Sequence, residues 1–254
     1  MSEIWNPWHG CHKISAGCLN CYMFRRDAEF GRNPSVIFRT KQFDLPIQQG
    51  RRHGYRLLPE DRSVYVCLSS DFFIAEADLW RDDAWAMIRE RSDLDFYLII
   101  KRPERIAPHL PSDWGSGYDN VHVCCSVENQ MEADHRLPLF LELPLPHKSI
   151  ILEPLLESIN IRKYLNRYGD QIEEISAGGE SGPGARLCDY AWVMEIMLQC
   201  AEYDVPFRFH QTGANFRKGG RVYHIDQKDQ KDQARLAGID YPNPSLTSCL
   251  KKLG

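Results

Sequence analysis

The chain has 254 residues, 43% hydrophobic and 26% charged, which is ordinary for a globular protein and enough for one large domain or two small ones. No apolar run approaches the roughly 20 residues that span a bilayer, and the first residues lack the apolar core of a signal peptide, so the expected location is the cytoplasm with no membrane partner. The net charge of −4 advertises no global nucleic-acid binder, and in a reducing compartment nine cysteines speak for metal binding or burial rather than a disulfide framework.

The first informative stretch is "NPWHGCHKISAGCLNCYMFRR", residues 6 to 26, which places Cys11, Cys18 and Cys21 within eleven positions. Residues 25 to 62 then hold nine Lys/Arg against five Asp/Glu, while the remainder is acidic. Basic residues with Phe38, Phe43 and Tyr55 interleaved suit a nucleic acid, phosphates on the cations and unstacked bases on the rings; a solvated loop surface suits them equally.

From residue 60 short apolar runs recur as buried strands: "SVYVCLSS" from Ser63, "DFYLIIKR" from Asp95, "NVHVCCSV" from Asn120, "KSIILEP" from Lys148, "IEEISAGG" from Ile172 and "PFRFHQ" from Pro206. Helical stripes lie between them. Trp80, Ala84, Met87 and Ile88 share one face, as do Ile161, Tyr164, Leu165 and Tyr168. Trp192, Val193, Ile196, Met197, Cys200 and Ala201 form the clearest stripe, with Asp189 as its N-cap. A fourth pattern, 130 to 143, is interrupted by Pro138. One strand–helix unit every 24 to 34 residues predicts an α/β fold with parallel strands, a TIM-like (β/α) barrel, partial or complete, with an open doubly wound sheet as second choice. The expected organisation is one domain over 1–216 and a polar extension over 217–254, a surface helix and then a loose end.

Polar residues concentrate where those strands end: Ser69, Ser70 and Asp71; Lys101 and Arg102; Ser126, Glu128 and Asn129; Glu153; Gly178, Gly179, Glu180 and Ser181; His210 and Gln211. In parallel α/β architectures that edge binds substrate. "GGESGPGAR", from Gly178, lets backbone approach a ligand and adds in Glu180 an acceptor suited to an amine. Lys101 and Arg102 suit an anion, or a structural pairing with Asp71 or Glu153.

Three thiolates in so short a loop ligate one metal if the loop curls, and Gly10 and Gly17 precede two of them. A structural zinc wants a fourth ligand, which His9 or His12 could supply. No second Cys-x-x-Cys pair exists, and Cys124 and Cys125 are neighbours on a strand and point to opposite faces. A [4Fe–4S] cluster on three cysteines leaves one iron open for a cofactor, and a cysteine triad in the N-terminal loop of a strand–helix barrel fits that pattern better than closed zinc.

In this order "WNPWHGCHKISAGCLNCY", "SSDFF", "KRPER", "SVENQMEADHRLP", "EPLL" and "GGESGPGAR" resemble a phage-associated Gp-type three-cysteine family of unknown function, radical-SAM-like, over roughly residues 5 to 216. The resemblance implies a partial (β/α) barrel with a [4Fe–4S] cluster on Cys11, Cys18 and Cys21 and S-adenosylmethionine at the open iron. The spacing differs from that of most radical SAM enzymes: the first gap here is six residues, and the glycine–glycine–glutamate element comes late, at Gly178–Glu180.

Two functions from different classes therefore stand. In a radical SAM-type enzyme Gly178, Gly179, Glu180 and Ser181 would hold the cofactor. Ser69, Asp71, Lys101, Ser126, Glu128 and Glu153 would line the rest of the mouth, and an electron donor such as a reductase or flavodoxin would be the partner. In the alternative, a zinc or iron–sulfur staple stabilises a non-catalytic module that binds nucleic acid or protein. A Cys/His nucleophile is a distant third, since three thiols exceed what one nucleophile needs.

Overall fold

A computed structural model describes residues 2–50, 54–61 and 63–242. Arg51, Arg52 and Arg62 of the basic segment, Cys249 and the expected loose end from 243 lie outside the described residues.

The elements follow in chain order: β1 (Ser2–Trp5), β2 (Trp8–His9), α1 (Tyr22–Glu29), β3 (Phe38–Arg39), β4 (Ser63–Val66), α2 (Asp78–Glu90), β5 (Asp95–Ile100), β6 (Val121–Ser126) and α3 (Gln130–Leu141). Then come β7 (His147–Leu152), α4 (Arg162–Tyr168), β8 (Ile172–Gly178), β9 (Leu187–Asp189), α5 (Tyr190–Glu202), β10 (Phe207–Gln211), β11 (Asn215–Lys218), β12 (Arg221–His224) and α6 (Gln230–Ala237). Seven strands form one sheet in the order β1-β4-β5-β6-β7-β8-β10, and the pairs β1–β4, β4–β5, β5–β6 and β8–β10 run parallel. With the intervening helices this is an α/β fold of the partial TIM-like barrel type.

All six expected strands are present. β1 is the addition: "SEIW" is too short and too exposed to show a periodicity, and its pairing with β4 creates it. Strands β4, β5 and β7, expected simply as buried, alternate between buried and half-buried residues. In β5 Phe96, Leu98 and Ile100 are buried while Asp95, Tyr97 and Ile99 are half-buried, so one sheet face is sealed and the other partly open. Along that second face Tyr65, Tyr97, His122 and His147 stack from strand to strand, with centroids 5.4, 4.5 and 4.4 Å apart. Helix α3 continues through Pro138, because burial of Leu137, Phe140 and Leu141 outweighs the hydrogen bond that proline cannot make.

The chain divides into two compact units, one of residues 1–14, 21–125 and 142–148, the other of residues 15–20, 126–141 and 149–254. The core of the first is aromatic: Trp8 against Phe72 at 5.2 Å and Phe72 against Trp85 at 4.9 Å. Its buried Arg81 donates to the carbonyls of Phe72 and Ile74 and so fixes the segment after β4. The second unit buries Ile150, Leu152, Ile175 and Ala177 from its strands and Val193, Ile196 and Met197 from α5. It also holds a three-stranded sheet, β12-β11-β9; the expected boundary at 216 falls within β11.

Candidate functional site

Each unit carries part of the predicted residues, and the cysteines divide accordingly: Cys11 and Cys21 belong to the first unit and Cys18 to the second. None of the eight described cysteines forms a disulfide. Cys18 is buried, whereas Cys11 and Cys21 are partly exposed.

In the first unit the ends of β4 and β5 fix Cys11. Ser69 accepts the Gly10 N–H at 3.1 Å, and the Ser70 hydroxyl donates to the Gly10 carbonyl at 2.6 Å. Gly10 has φ +97°, and a Cβ there would sit 2.4 Å from the Val36 carbonyl oxygen, so only glycine brings the chain to Cys11 along this path. The Cys11 N–H then donates to Pro34 at 2.9 Å.

Asp71 is the hub of this half. Its carboxylate accepts from the Phe73 N–H at 2.9 Å, the Lys101 N–H at 2.9 Å and Arg102 Nη1 at 3.0 Å. Arg102 in turn places both terminal nitrogens 3.9 Å from Cys11 Sγ and donates to the His12 carbonyl at 3.1 Å. Burial works against the charge on Arg102, but Asp71 and Cys11 outweigh it and hold the pKa above its ordinary value. A fixed cation beside a sulfur favours the thiolate that a metal requires. Of the two cations after β5, Arg102 thus makes the structural pairing with Asp71. His9 Nε2 lies 2.8 Å from Asp27, and His12 Nε2 lies 2.6 Å from Glu76.

In the second unit the cysteine loop is tied at three points. Ala16–Cys18 form one turn of 3-10 helix, with the Cys18 N–H on the Ser15 carbonyl at 3.0 Å. The Gly17 N–H donates to Glu128 Oε1 at 2.8 Å. A Cβ on Gly17 would stand 2.8 Å from the Glu128 carboxyl carbon, so this glycine is required by close approach and not by an unusual φ. Glu128 is fully buried and pairs with Arg136 at 3.0 Å, which also donates to the Ser126 carbonyl at 2.8 Å. Asn20 donates to Glu180 Oε2 and to the Gly184 carbonyl, both at 2.9 Å. Arg186 completes the clamp by donating to the Ala16 carbonyl at 2.9 Å.

The glycine-rich segment makes structural contacts of its own. Glu180 takes hydrogen bonds from Asn20, from the Arg186 N–H and from the Arg186 guanidinium, which commits its carboxylate to the cysteine loop. Burial opposes its charge, yet Arg186 and Asn20 bring its pKa below the usual carboxylate value. Gly178 and Gly179 are needed for packing. A Cβ on Gly178 would meet the Glu153 carboxyl at 3.0 Å, and one on Gly179 would meet the Thr212 carbonyl oxygen at 2.2 Å. The Gly179 N–H already donates to Gln211 at 3.0 Å.

Glu153 is the more accessible carboxylate. The His210 Nδ1 lies 2.9 Å from Oε2, the Ser176 hydroxyl donates to Oε1 at 3.3 Å, and the Ser126 hydroxyl donates to the Glu153 carbonyl at 3.2 Å. Sequence reasoning missed Asn20, Arg136 and Arg186. Nothing in their spacing marks them; only the "GAR" end of the glycine-rich run placed Arg186 near a candidate.

In the basic segment, Phe43 is buried under the Arg39 guanidinium at 3.6 Å, and Arg91 covers the Tyr55 ring at 4.3 Å. Of the segment's four aromatics, Phe30 and Phe38 keep an exposed surface.

No curated protein and no solved structure is significantly similar to the chain. A family model described as "Protein of unknown function (DUF5131)" matches residues 1–241, and the chain belongs to that family.

Proposed function

We propose that this chain is an iron–sulfur protein, a radical SAM-type enzyme whose Cys11, Cys18 and Cys21 hold a [4Fe–4S] cluster with one open iron. The observation that carries the reading is the fastening of a loop with three cysteines in eleven positions. Gly10 and Cys11 are fixed by Ser69, Ser70 and Pro34, and residues 16 to 20 are fixed by Glu128, Glu180 and Arg186.

The donor set suits the group: thiols, a guanidinium beside one of them, and hydrogen bonds that fix the backbone on which they sit. Such a cluster, when bound, supplies one-electron reduction of S-adenosylmethionine and so the means of hydrogen abstraction. The chain's own residues do the holding. Arg102 balances charge at Cys11, Glu128 and Arg186 orient the backbone just before Cys18, and Glu180 holds Asn20 just after it. Glu153, with Ser176 and His210 on its oxygens, is the carboxylate we assign to the cofactor's ammonium, because Glu180 is committed to Arg186. Lys101, Asp71, Ser69, Ser126 and the Gly178–Ser181 backbone complete the proposed mouth.

One observation favours a second reading, a zinc-stapled binding module. His12 follows Cys11 directly, and its Nε2 on Glu76 is the arrangement by which carboxylates orient metal-ligating histidines.

Electron paramagnetic resonance on anaerobically purified, dithionite-reduced protein, with and without S-adenosylmethionine, decides. A [4Fe–4S]⁺ signal that changes shape with the cofactor is the expected result. A signal indifferent to it removes the SAM assignment, and zinc without iron moves the binding module to first place.

A further inference from the structure

Strands β11 and β12 form an antiparallel hairpin closed by Gly219 and Gly220, whose φ values of +58° and +77° give the tight turn that matches strand twist. The last facing pair before the turn is Lys218 opposite Arg221, and the next pair on the same face, two positions back, is Phe216 opposite Tyr223. Because facing residues and alternate residues share a face, one side of this hairpin reads two aromatics and then two cations.

Like charges directly opposite one another destabilise a hairpin. Here no carboxylate relieves them among the described residues. The Lys218 ammonium instead stands 4.3 Å from the Tyr190 ring centroid, and the Arg221 guanidinium 5.2 Å from that of Tyr223. Arg217, on the opposite face, is already neutralised by Asp189.

Beneath the hairpin lies a cleft of about 770 Å³, walled by β11, β12 and α6 and including Tyr190, Lys218, Arg221 and Tyr223. Its rim is apolar as well as basic: Val222 and Tyr223 are 45% and 41% exposed. Asp226 and Asp229 line the cleft too, as acceptors.

We infer that this cleft binds single-stranded nucleic acid. The facing cations take a phosphate at the hairpin tip, where two glycines leave room for the strand. The exposed Tyr223 ring stacks a base, and Asp226 or Asp229 accepts from an exocyclic amino group. A folded protein partner would leave the repelling cations unanswered unless it brought carboxylates to the tip, and duplex nucleic acid offers no unstacked base to Tyr223. The inference is independent of the proposed cluster, since every residue in it lies between 190 and 237.

The test is fluorescence anisotropy of the full-length chain, as purified, with fluorescein-labelled oligodeoxycytidylate and oligodeoxythymidylate. Saturable binding is expected, weakened about tenfold or more by Tyr223→Ala and retained by Tyr223→Phe, in line with the worth of one stacked base. The double variant Lys218→Ala/Arg221→Ala should flatten the plot of log affinity against log salt by about 0.7, the value for one single-strand phosphate. Arg25→Ala/Arg26→Ala, in the N-terminal basic segment, should leave affinity unchanged. Ultraviolet cross-linking of the unmutated chain, which needs no variant to fold, should place the adduct on the peptide containing Tyr223. Absence of binding overturns the inference. So does affinity indifferent to the hairpin variants, or loss of affinity in the Arg25/Arg26 variant with a cross-link elsewhere.

Discussion

At the scale of single residues, environment and not residue type separates the cysteines. Cys188 and Cys200 are fully buried, and burial pushes both thiols up to about 12, so neither offers a thiolate near neutrality. Cys11 and Cys21 are partly exposed, and Cys11 has a guanidinium at 3.9 Å. Brief iodoacetamide treatment of iron-free protein, read by peptide mass spectrometry, is therefore expected to label Cys11 and Cys21 and to spare Cys188 and Cys200. Equal labelling of all four would mean that the native packing around them is wrong. Glycine shows the same dependence on surroundings. Gly179→Ala drives a methyl to 2.2 Å from the Thr212 carbonyl oxygen, a backbone atom that cannot swing aside. A cost of about 2 kcal/mol follows from overpacking of this kind, lowering the apparent Tm by roughly 4–8 °C in thermal denaturation. The run reads in the sequence as a ligand-facing turn; that Gly179 is also tightly packed depends on Thr212, some thirty residues away, which no local pattern contains.

At the scale of elements, six strands were legible as short apolar runs and α2, α4 and α5 as helical stripes, because each buries apolar side chains in the core. Asp189 illustrates a signal that was readable and still incomplete. It caps α5 as expected, accepting from the Ala191 N–H at 2.9 Å, but it also pairs with Arg217 of β11, which the sequence does not reveal. The two roles separate by substitution. Asp189→Asn keeps an acceptor at the cap and loses the charge, whereas Asp189→Ala loses both; urea unfolding should show the alanine variant lower by about 1 kcal/mol than the asparagine variant. The cysteine loop is the opposite case: its thiols were legible, its fastening was not. Arg186 holds the Ala16 carbonyl and the Glu180 carboxylate together, so Arg186→Met frees one end of residues 16 to 20. Outer partners of metal ligands are worth roughly 10–100-fold in affinity, and iron binding in anaerobic reconstitution should weaken by at least about tenfold. Unchanged iron uptake in this variant, with uptake intact in the parent chain, would assign the clamp to folding alone.

At the scale of the whole molecule, the expectation of an α/β barrel with a polar edge came from the regular recurrence of strand–helix units. The ligand identity did not, because a ligand enters a sequence only through the few side chains that touch it. What the fold adds is a cost that those side chains impose. Arg102 is buried beside Cys11, and Glu128 is buried beside Gly17, so the chain holds charged groups out of water in order to fix a loop. A loop held in this way by charge is stabilised further by whatever its thiols bind, since a ligand specific to the folded state shifts the unfolding equilibrium. At a free concentration 100 times its dissociation constant, a ligand contributes about 2.7 kcal/mol. For a chain of this length that is roughly 5–10 °C in apparent Tm. Anaerobically reconstituted protein is therefore expected to melt higher than the same preparation stripped of iron by a chelator, and the difference should vanish in Cys18→Ala. Limited proteolysis offers the local counterpart: cleavage between Cys11 and Cys21 should accelerate on chelation while cleavage in α5 does not. If stripping iron leaves both the melting temperature and that cleavage unchanged, the three cysteines are not joined through a metal.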